Sequence, residues 1–179
     1  MKNSSNNFQD EALKRYGRSY LLLGDFELIV RKKMIVTLSD FAKGKGHTMW
    51  HEGLEFSDVG SQYLLRTINK AKSQARRDNV TIESQVPLSF WRYLLISKHY
   101  PNLWLPALHL VFPMLDAPKE RNSFHSISEK MGWALDLRNR VAHYNFYKIS
   151  IIEAEETNLR SIISAMGEEL IETKAGVER

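Results

Sequence analysis

The sequence contains no cysteine, which excludes a disulfide framework, thiolate zinc sites and a cysteine nucleophile. Proline is scarce and confined: all five lie between Pro87 and Pro118, so the flanking segments lack the commonest helix breaker. No Walker loop, G-x-G-x-x-G, G-x-S-x-G or H-E-x-x-H is present, which removes the common nucleotide, hydrolase and metalloprotease signatures. The most apolar window, Leu103 to Leu115, is broken by Pro106, His109 and Pro113 and is too short to cross a bilayer. No alternating segment bounded by turn signals argues for a sheet, and there is no repeat or low-complexity stretch. The chain opens on a polar stretch, Met1 to Asn7, without a basic-then-apolar leader. These absences predict a soluble, cytoplasmic, all-α protein with no membrane contact and no cofactor.

What is present fits one globular domain. The 179 residues are 43% hydrophobic and 26% charged, enough to bury a core without staples. The expected boundaries are a helical domain over 10–173, with flexible ends at 1–9 and 174–179. Net charge is +4, but it is unevenly spread. Residues 148–179 hold four basic and seven acidic side chains, leaving 21 basic and 14 acidic, a net of +7, for the rest. A basic body with an acidic tail suits a polyanion such as RNA.

Periodicity predicts a first helix from Asp10 to Leu23 ending at Gly24, then a second from an Asp25 N-cap to about Lys43, stopped by Gly44 and Gly46. His47 to Gly60 reads as a loop anchored by Trp50 and Phe56. Ser61 to Asp78 reads as a helix with a strongly basic second half. Two short helices, Leu88–Lys98 and Leu103–Val111, lie between proline turns. A long helix runs from about Ser123 to Tyr144. A last one spans Ala154 to Thr173, with Leu159, Ile162, Ile163, Met166 and Leu170 on one buried face.

The chemistry concentrates in Trp133 to Tyr147. On a helix, Trp133, Leu137, Val141 and Tyr144 form an apolar stripe, while Asp136, Asn139, Arg140, His143 and Tyr147 form a polar one. Asn139 and His143 are i, i+4 neighbours, so the amide is placed to orient the imidazole. Arg138 projects about 140° from His143, between Leu137 and a second apolar strip of Met131, Leu135 and Ala142. An arginine beside apolar surface is costly unless paired or aimed at an anion. Two such helices brought together in a dimer would set Arg138 of one copy near His143 of the other.

Arg138-Asn139-Arg140-Val141-Ala142-His143 resembles the R-N-x-x-x-H motif of HEPN-domain proteins, in the branch called Abi-like, or abortive-infection-like. Phe26-Glu27 to Arg31 is similar to that family's early E-x-x-x-R helix, followed by its Gly…Trp segment at Gly46 and Trp50. Leu88-Ser89-Phe90-Trp91, Leu103-Trp104 and Phe112-Pro113 match its central landmarks. Where relatives continue with a further histidine and Glu-Pro, this chain has Tyr144, Asn145 and Phe146, and the glycine before Phe-Trp is absent.

The resemblance implies a metal-independent endoribonuclease acting as a homodimer, in phage defence or a toxin system, restrained by an antitoxin protein or a noncoding RNA. Arg138, Asn139 and His143 would be catalytic, with Glu27, Arg31 and Tyr144 in support. Histidine suits removal of a 2′-hydroxyl proton near neutral pH, and a forked guanidinium suits phosphate oxygens. The alternative from the same resemblance is a catalytically inactive RNA-binding or adaptor module. A purely structural helical scaffold is a third reading.

Outside the motif, Arg66, Lys70, Ser73 and Arg77 share a helical face, with Lys72 and Arg76 near it. Arg66, Lys70, Arg77 and Arg140 are the expected RNA-backbone contacts, against the plainer reading of a solvated face. Glu27 and Arg31 at i, i+4 form a helix-stabilising pair, or Glu27 reaches the motif helix to hold Arg138 or Asn139. His47, His51 and Glu52 have metal-ligand spacing only if helical, and the flanking glycines point to a loop, so no metal site is expected. Trp91, Trp104 and Trp133 are expected in the core.

Overall fold

The computed structural model describes residues 3–54, 61–143 and 149–169, without the side chains of 3–12, 149–153 and 155. Among the described residues there are six α-helices and no strand: α1 (Asn3–Gly44), α2 (Gln62–Asp78), α3 (Leu88–Leu94), α4 (Leu105–Val111), α5 (Arg121–Ala142) and α6 (Ile149–Ala165). No helix among them is long and apolar enough to cross a membrane. The all-α expectation holds.

The first two expected helices are one. α1 runs straight through Gly17 and Gly24, and it is helical from Asn3, inside the segment expected to be a flexible end. A mid-helix glycine costs about 1 kcal/mol relative to alanine. Leu22, Leu23, Phe26, Val30, Met34, Leu38 and Ala42 are all buried, so core packing on both sides of Gly24 outweighs that penalty. Asp25 is therefore an interior residue and caps nothing.

The stops obey backbone chemistry. α1 ends where Gly46 takes a positive φ of 81°. The Gly46 N–H then bonds the Lys43 carbonyl and the His47 N–H bonds the Ala42 carbonyl, each at 2.9 Å, a Schellman closure. α6 closes the same way: Gly167 has φ 71°, with Gly167 N–H on Ser164 and Glu168 N–H on Ile163 at 2.9 and 3.1 Å. That is why α6 stops at Ala165 and not near Thr173. Its buried face, Leu159, Ile162, Ile163 and Met166, matches expectation; Leu170 lies outside the described residues. Between α3 and α4 the chain makes a short 3₁₀ turn (Ser97–His99) and a π turn (Tyr100–Trp104) in place of longer helices, because Pro101 and Pro106 interrupt regular hydrogen bonding.

α1 is the spine. α3, α4, α5 and α6 pack on it, α5 and α6 pack on each other, and α2 sits on α3 and the turn Glu83–Gln85. Polar cross-links fix the register: the Ser19 hydroxyl donates to Glu156 at 2.6 Å, Lys33 pairs with Glu168 at 2.8 Å, and Lys130 donates to Ser161 at 2.7 Å. Trp91 and Trp104 are fully buried, and Trp104 donates to the Leu94 carbonyl at 2.7 Å. Trp133 departs from expectation at 38% exposure. The buried stripe of α5 is Phe124, Ile127, Met131, Ala134, Leu137 and Val141, which turns Trp133 outward.

The segment after α1 lies tightly against it. Trp50 is buried as expected and donates to Glu83 at 2.7 Å; Phe56 lies outside the described residues. A Cβ at Gly53 would sit 2.8 Å from the Ala42 Cα, a contact only a backbone shift relieves. Gly53→Ala is expected to destabilise the fold by about 1–3 kcal/mol, read as a lower midpoint in thermal unfolding; an unchanged midpoint would show that this segment packs less closely.

Candidate nucleic-acid interface

The motif occupies the C-terminal end of α5. All three motif residues are exposed: Asn139 and His143 project away from the buried stripe of α5, whereas Arg138 shares the angular sector of that stripe and is exposed at its C-terminal end. His143 is the C-terminal cap, with φ −107° and ψ 14°. Its N–H bonds the Asn139 and Arg140 carbonyls at 3.1 and 3.3 Å. The helix therefore ends two residues before Tyr144, which lies outside the described residues.

Arg138 sits between Leu137 and the Met131 strip, as its spacing suggests, and is exposed there. Its guanidinium reaches the Asn139 Oδ1 at 3.4 Å, and no carboxylate among the described residues pairs with it. The Asn139 amide is thus turned to Arg138, not to the His143 ring. Glu27 is also committed elsewhere: its Oε1 accepts from Arg31 Nη2 at 3.0 Å, the i, i+4 pair of the sequence reading, and does not hold the motif helix.

That pair forms part of a different feature. Glu27 and Arg31 on α1, with Arg66, Lys70 and Gln74 on α2 and Gln85 beyond it, line a cleft of about 530 Å³. The pair is half-buried, and the Arg31 Nε is buried with no hydrogen-bond partner. Arg31 neutralises Glu27, so the cleft keeps the charges of Arg66 and Lys70. Two glutamine amides beside two cations without acidic partners among the described residues, Arg66 reaching only the Gln62 Oε1 at 3.4 Å, can take a phosphate ester and offer neutral donors and acceptors to its substituents.

Four residues assigned separately from sequence, Glu27, Arg31, Arg66 and Lys70, are thereby brought together. Two others are not. Arg77 pairs with its neighbour Asp78 at 3.1 Å, and Arg140 lies on α5. Sequence reasoning missed Gln74 and Gln85; the polar series Arg66, Lys70, Gln74 at i, i+4 was the available signal for the first, whereas Gln85 enters through a turn.

His47 and His51 do not share a helical face, because residues 45–54 form turns. No group of three metal-capable side chains occurs among the described residues. His51 is buried, edge-on to Trp50 at 5.4 Å between ring centroids. Burial, and then the Lys72 charge, hold its imidazole below the usual histidine range, while Glu52 and Glu83 pull the other way.

The chain matches no family model, no curated protein and no solved structure.

The His51 environment carries a pH dependence. The folded state takes up the His51 proton less readily than the unfolded chain, whose histidines titrate near 6.5. The contribution is fully present above about pH 6.5 and is lost as pH falls below it, because the unfolded state protonates first. Thermal midpoints measured at neutral and mildly acid pH are expected to fall less in His51→Gln than in wild type; equal falls would remove His51 from the account.

Proposed function

We propose that the protein is a metal-independent endoribonuclease of the HEPN type, acting as a homodimer. The observation that carries this reading is the solvent-facing end of α5, where Arg138, lacking any acidic partner among the described residues, stands with Asn139 and His143. A guanidinium that no carboxylate neutralises is available to phosphate oxygens. Attack of an RNA 2′-oxygen on the adjacent phosphorus breaks the bond to the 5′-oxygen, leaving a 2′,3′-cyclic phosphate and a 5′-hydroxyl. His143 takes the 2′-hydroxyl proton or supplies the proton to the departing 5′-oxygen, and Arg138 hydrogen-bonds the non-bridging oxygens as charge builds on them. Asn139 holds Arg138. Arg138 and His143 stand five positions apart and project about 140° from each other, so a second copy supplies the missing half of each site.

Arg66 and Lys70 hold the RNA backbone away from the reacting end. The setting we assign is phage defence or a toxin system, with an antitoxin protein or a noncoding RNA restraining the activity. One observation favours a second reading, a non-catalytic RNA-binding or adaptor module: the Asn139 Oδ1 accepts from Arg138, and no orienting partner for the His143 ring occurs among the described residues.

In EDTA, wild type is expected to cleave single-stranded RNA, and Arg138→Ala and His143→Ala to lose about 10²- to 10⁴-fold in rate. Cyclic phosphate ends on the products would confirm the route. Cleavage retained by both variants would refute it, and binding without turnover by wild type would favour the second reading. For the cleft, Arg66→Ala/Lys70→Ala should flatten the slope of log K against log salt by about 1.4 for single-stranded RNA. An unchanged slope would place the RNA elsewhere.

A further inference from the structure

α2 has a second cleft on its other flank. At about 100° per residue, Lys72, Arg76 and Asn79 point roughly opposite to Arg66, Lys70 and Gln74. With His51 and Glu52 they line a cavity of about 460 Å³, within the size range of small-molecule sites. Neither Lys72 nor Arg76 has an acidic partner within ion-pair distance among the described residues, and both stand free of the Arg77–Asp78 pair. Glu52 is the one carboxylate among the described residues that line the cavity, and it accepts the Met49 N–H at 3.0 Å. Glu83, the other acid near His51, is held by Trp50 at 2.7 Å.

His51 marks this cavity as a built site. It is only 7% exposed, yet its Nε2 is buried with no hydrogen-bond partner among the described residues. Buried polar atoms without partners are rare in folded proteins, and each calls for a cause. The segment that carries it is fixed: Gly53 lies so close to α1 that a Cβ would meet Ala42. The low proton affinity of the ring leaves an imidazole that can donate or accept a hydrogen bond without adding a third full charge. Two cations and a neutral imidazole select an anion with hydroxyl or acid oxygens. Met49, Val80 and Ile82 add an apolar wall, which suits a ligand with a flat, poorly hydrated portion.

We propose that this cavity binds the phosphate of a nucleotide-class phosphate ester, with Lys72 and Arg76 on the phosphate oxygens, His51 as a hydrogen-bonding partner and the apolar wall against the base. The site is separate from the motif end of α5 and from the Arg66–Lys70 cleft, so it stands or falls independently of RNA cleavage. The same chemistry is presented by a free mononucleotide and by the phosphorylated end of an RNA strand.

The test is titration of the full chain with 5′-AMP, following the His51 ring signals by NMR. Adenosine, a 5′-phosphorylated trinucleotide and its unphosphorylated counterpart serve as comparison ligands. AMP is expected to bind saturably and to move the His51 signals, with adenosine at least about tenfold weaker. Lys72→Ala/Arg76→Ala should weaken AMP about tenfold or more. Arg76 is exposed and Lys72 only half-buried, so that variant keeps the fold even if His51→Gln does not. Arg66→Ala should leave AMP binding unchanged. Tighter binding of AMP than of the phosphorylated trinucleotide assigns a free nucleotide, and the reverse assigns an RNA end. Equal binding of AMP and adenosine, indifference to Lys72→Ala/Arg76→Ala, or no saturation up to about 10 mM would overturn the proposal.

Discussion

Phe26, Val30, Met34, Leu38 and Ala42 recur every four residues along α1, and all are fully buried. Helices α3, α4, α5 and α6 each press on this helix, so one continuous stripe orders the bundle. The stripe explains why α1 ignores Gly17 and Gly24: a break would divide a single core into two smaller ones, each burying less of the surface that pays for folding. It also explains where α2 goes. With α1 already covered by four helices, α2 packs on α3 and the turn before it, at the rim. A rim helix has one buried side, here Leu64, Ile68, Ala71 and Ala75, and two open flanks. Both flanks are clefts.

The same logic places the motif. Once Met131, Ala134, Leu137 and Val141 are committed to the core, Asn139 and His143 face away from it, while Arg138 is exposed on the core side of the helix end. Their exposure follows from packing, and their chemistry follows from what does not surround them. The carboxylate suggested by sequence as a partner for Arg138, Glu27, is already satisfied by Arg31 one helical turn away. Local pairing at i, i+4 needs less chain ordering than a contact between helices, and it leaves the α5 end cationic.

Much of the fold was legible because core periodicity is a strong signal. The α2 start at Ser61, the buried Trp50, Trp91 and Trp104, and the inner face of α6 all follow from spacing alone. The misses have physical causes. A glycine is a stop only when the helix has no packing to continue for, so Gly24 was passed while Gly46 and Gly167, each at positive φ, closed α1 and α6. Trp133 was misplaced because two neighbouring apolar strips on α5 look alike in sequence, and only the positions of α3 and α6 decide which is buried. For the candidate site, i, i+4 spacing found Glu27–Arg31 and Arg66–Lys70 but not that the two pairs face each other. The environment of His51 was illegible, since its burial comes from a turn held by Gly53.

The charges on α2 carry the argument furthest. Arg66 and Lys70, and again Lys72 and Arg76, are like charges at i, i+4, an arrangement that costs a helix a few tenths of a kcal/mol per pair. Several other cations are neutralised: Lys43 has Asp40, Lys33 has Glu168, and Arg77 has Asp78. Arg66, Lys70, Lys72 and Arg76, none paired with an acid among the described residues, line cavities. A solvated face would scatter its charges or interleave acids among them, because nothing is gained by leaving repulsion in place. Repulsion that is kept, and directed into two clefts with amides in one and the His51 Nε2 in the other, would be relieved by an entering anion. Under the proposed readings the cost falls on the free protein and is recovered in the bound state.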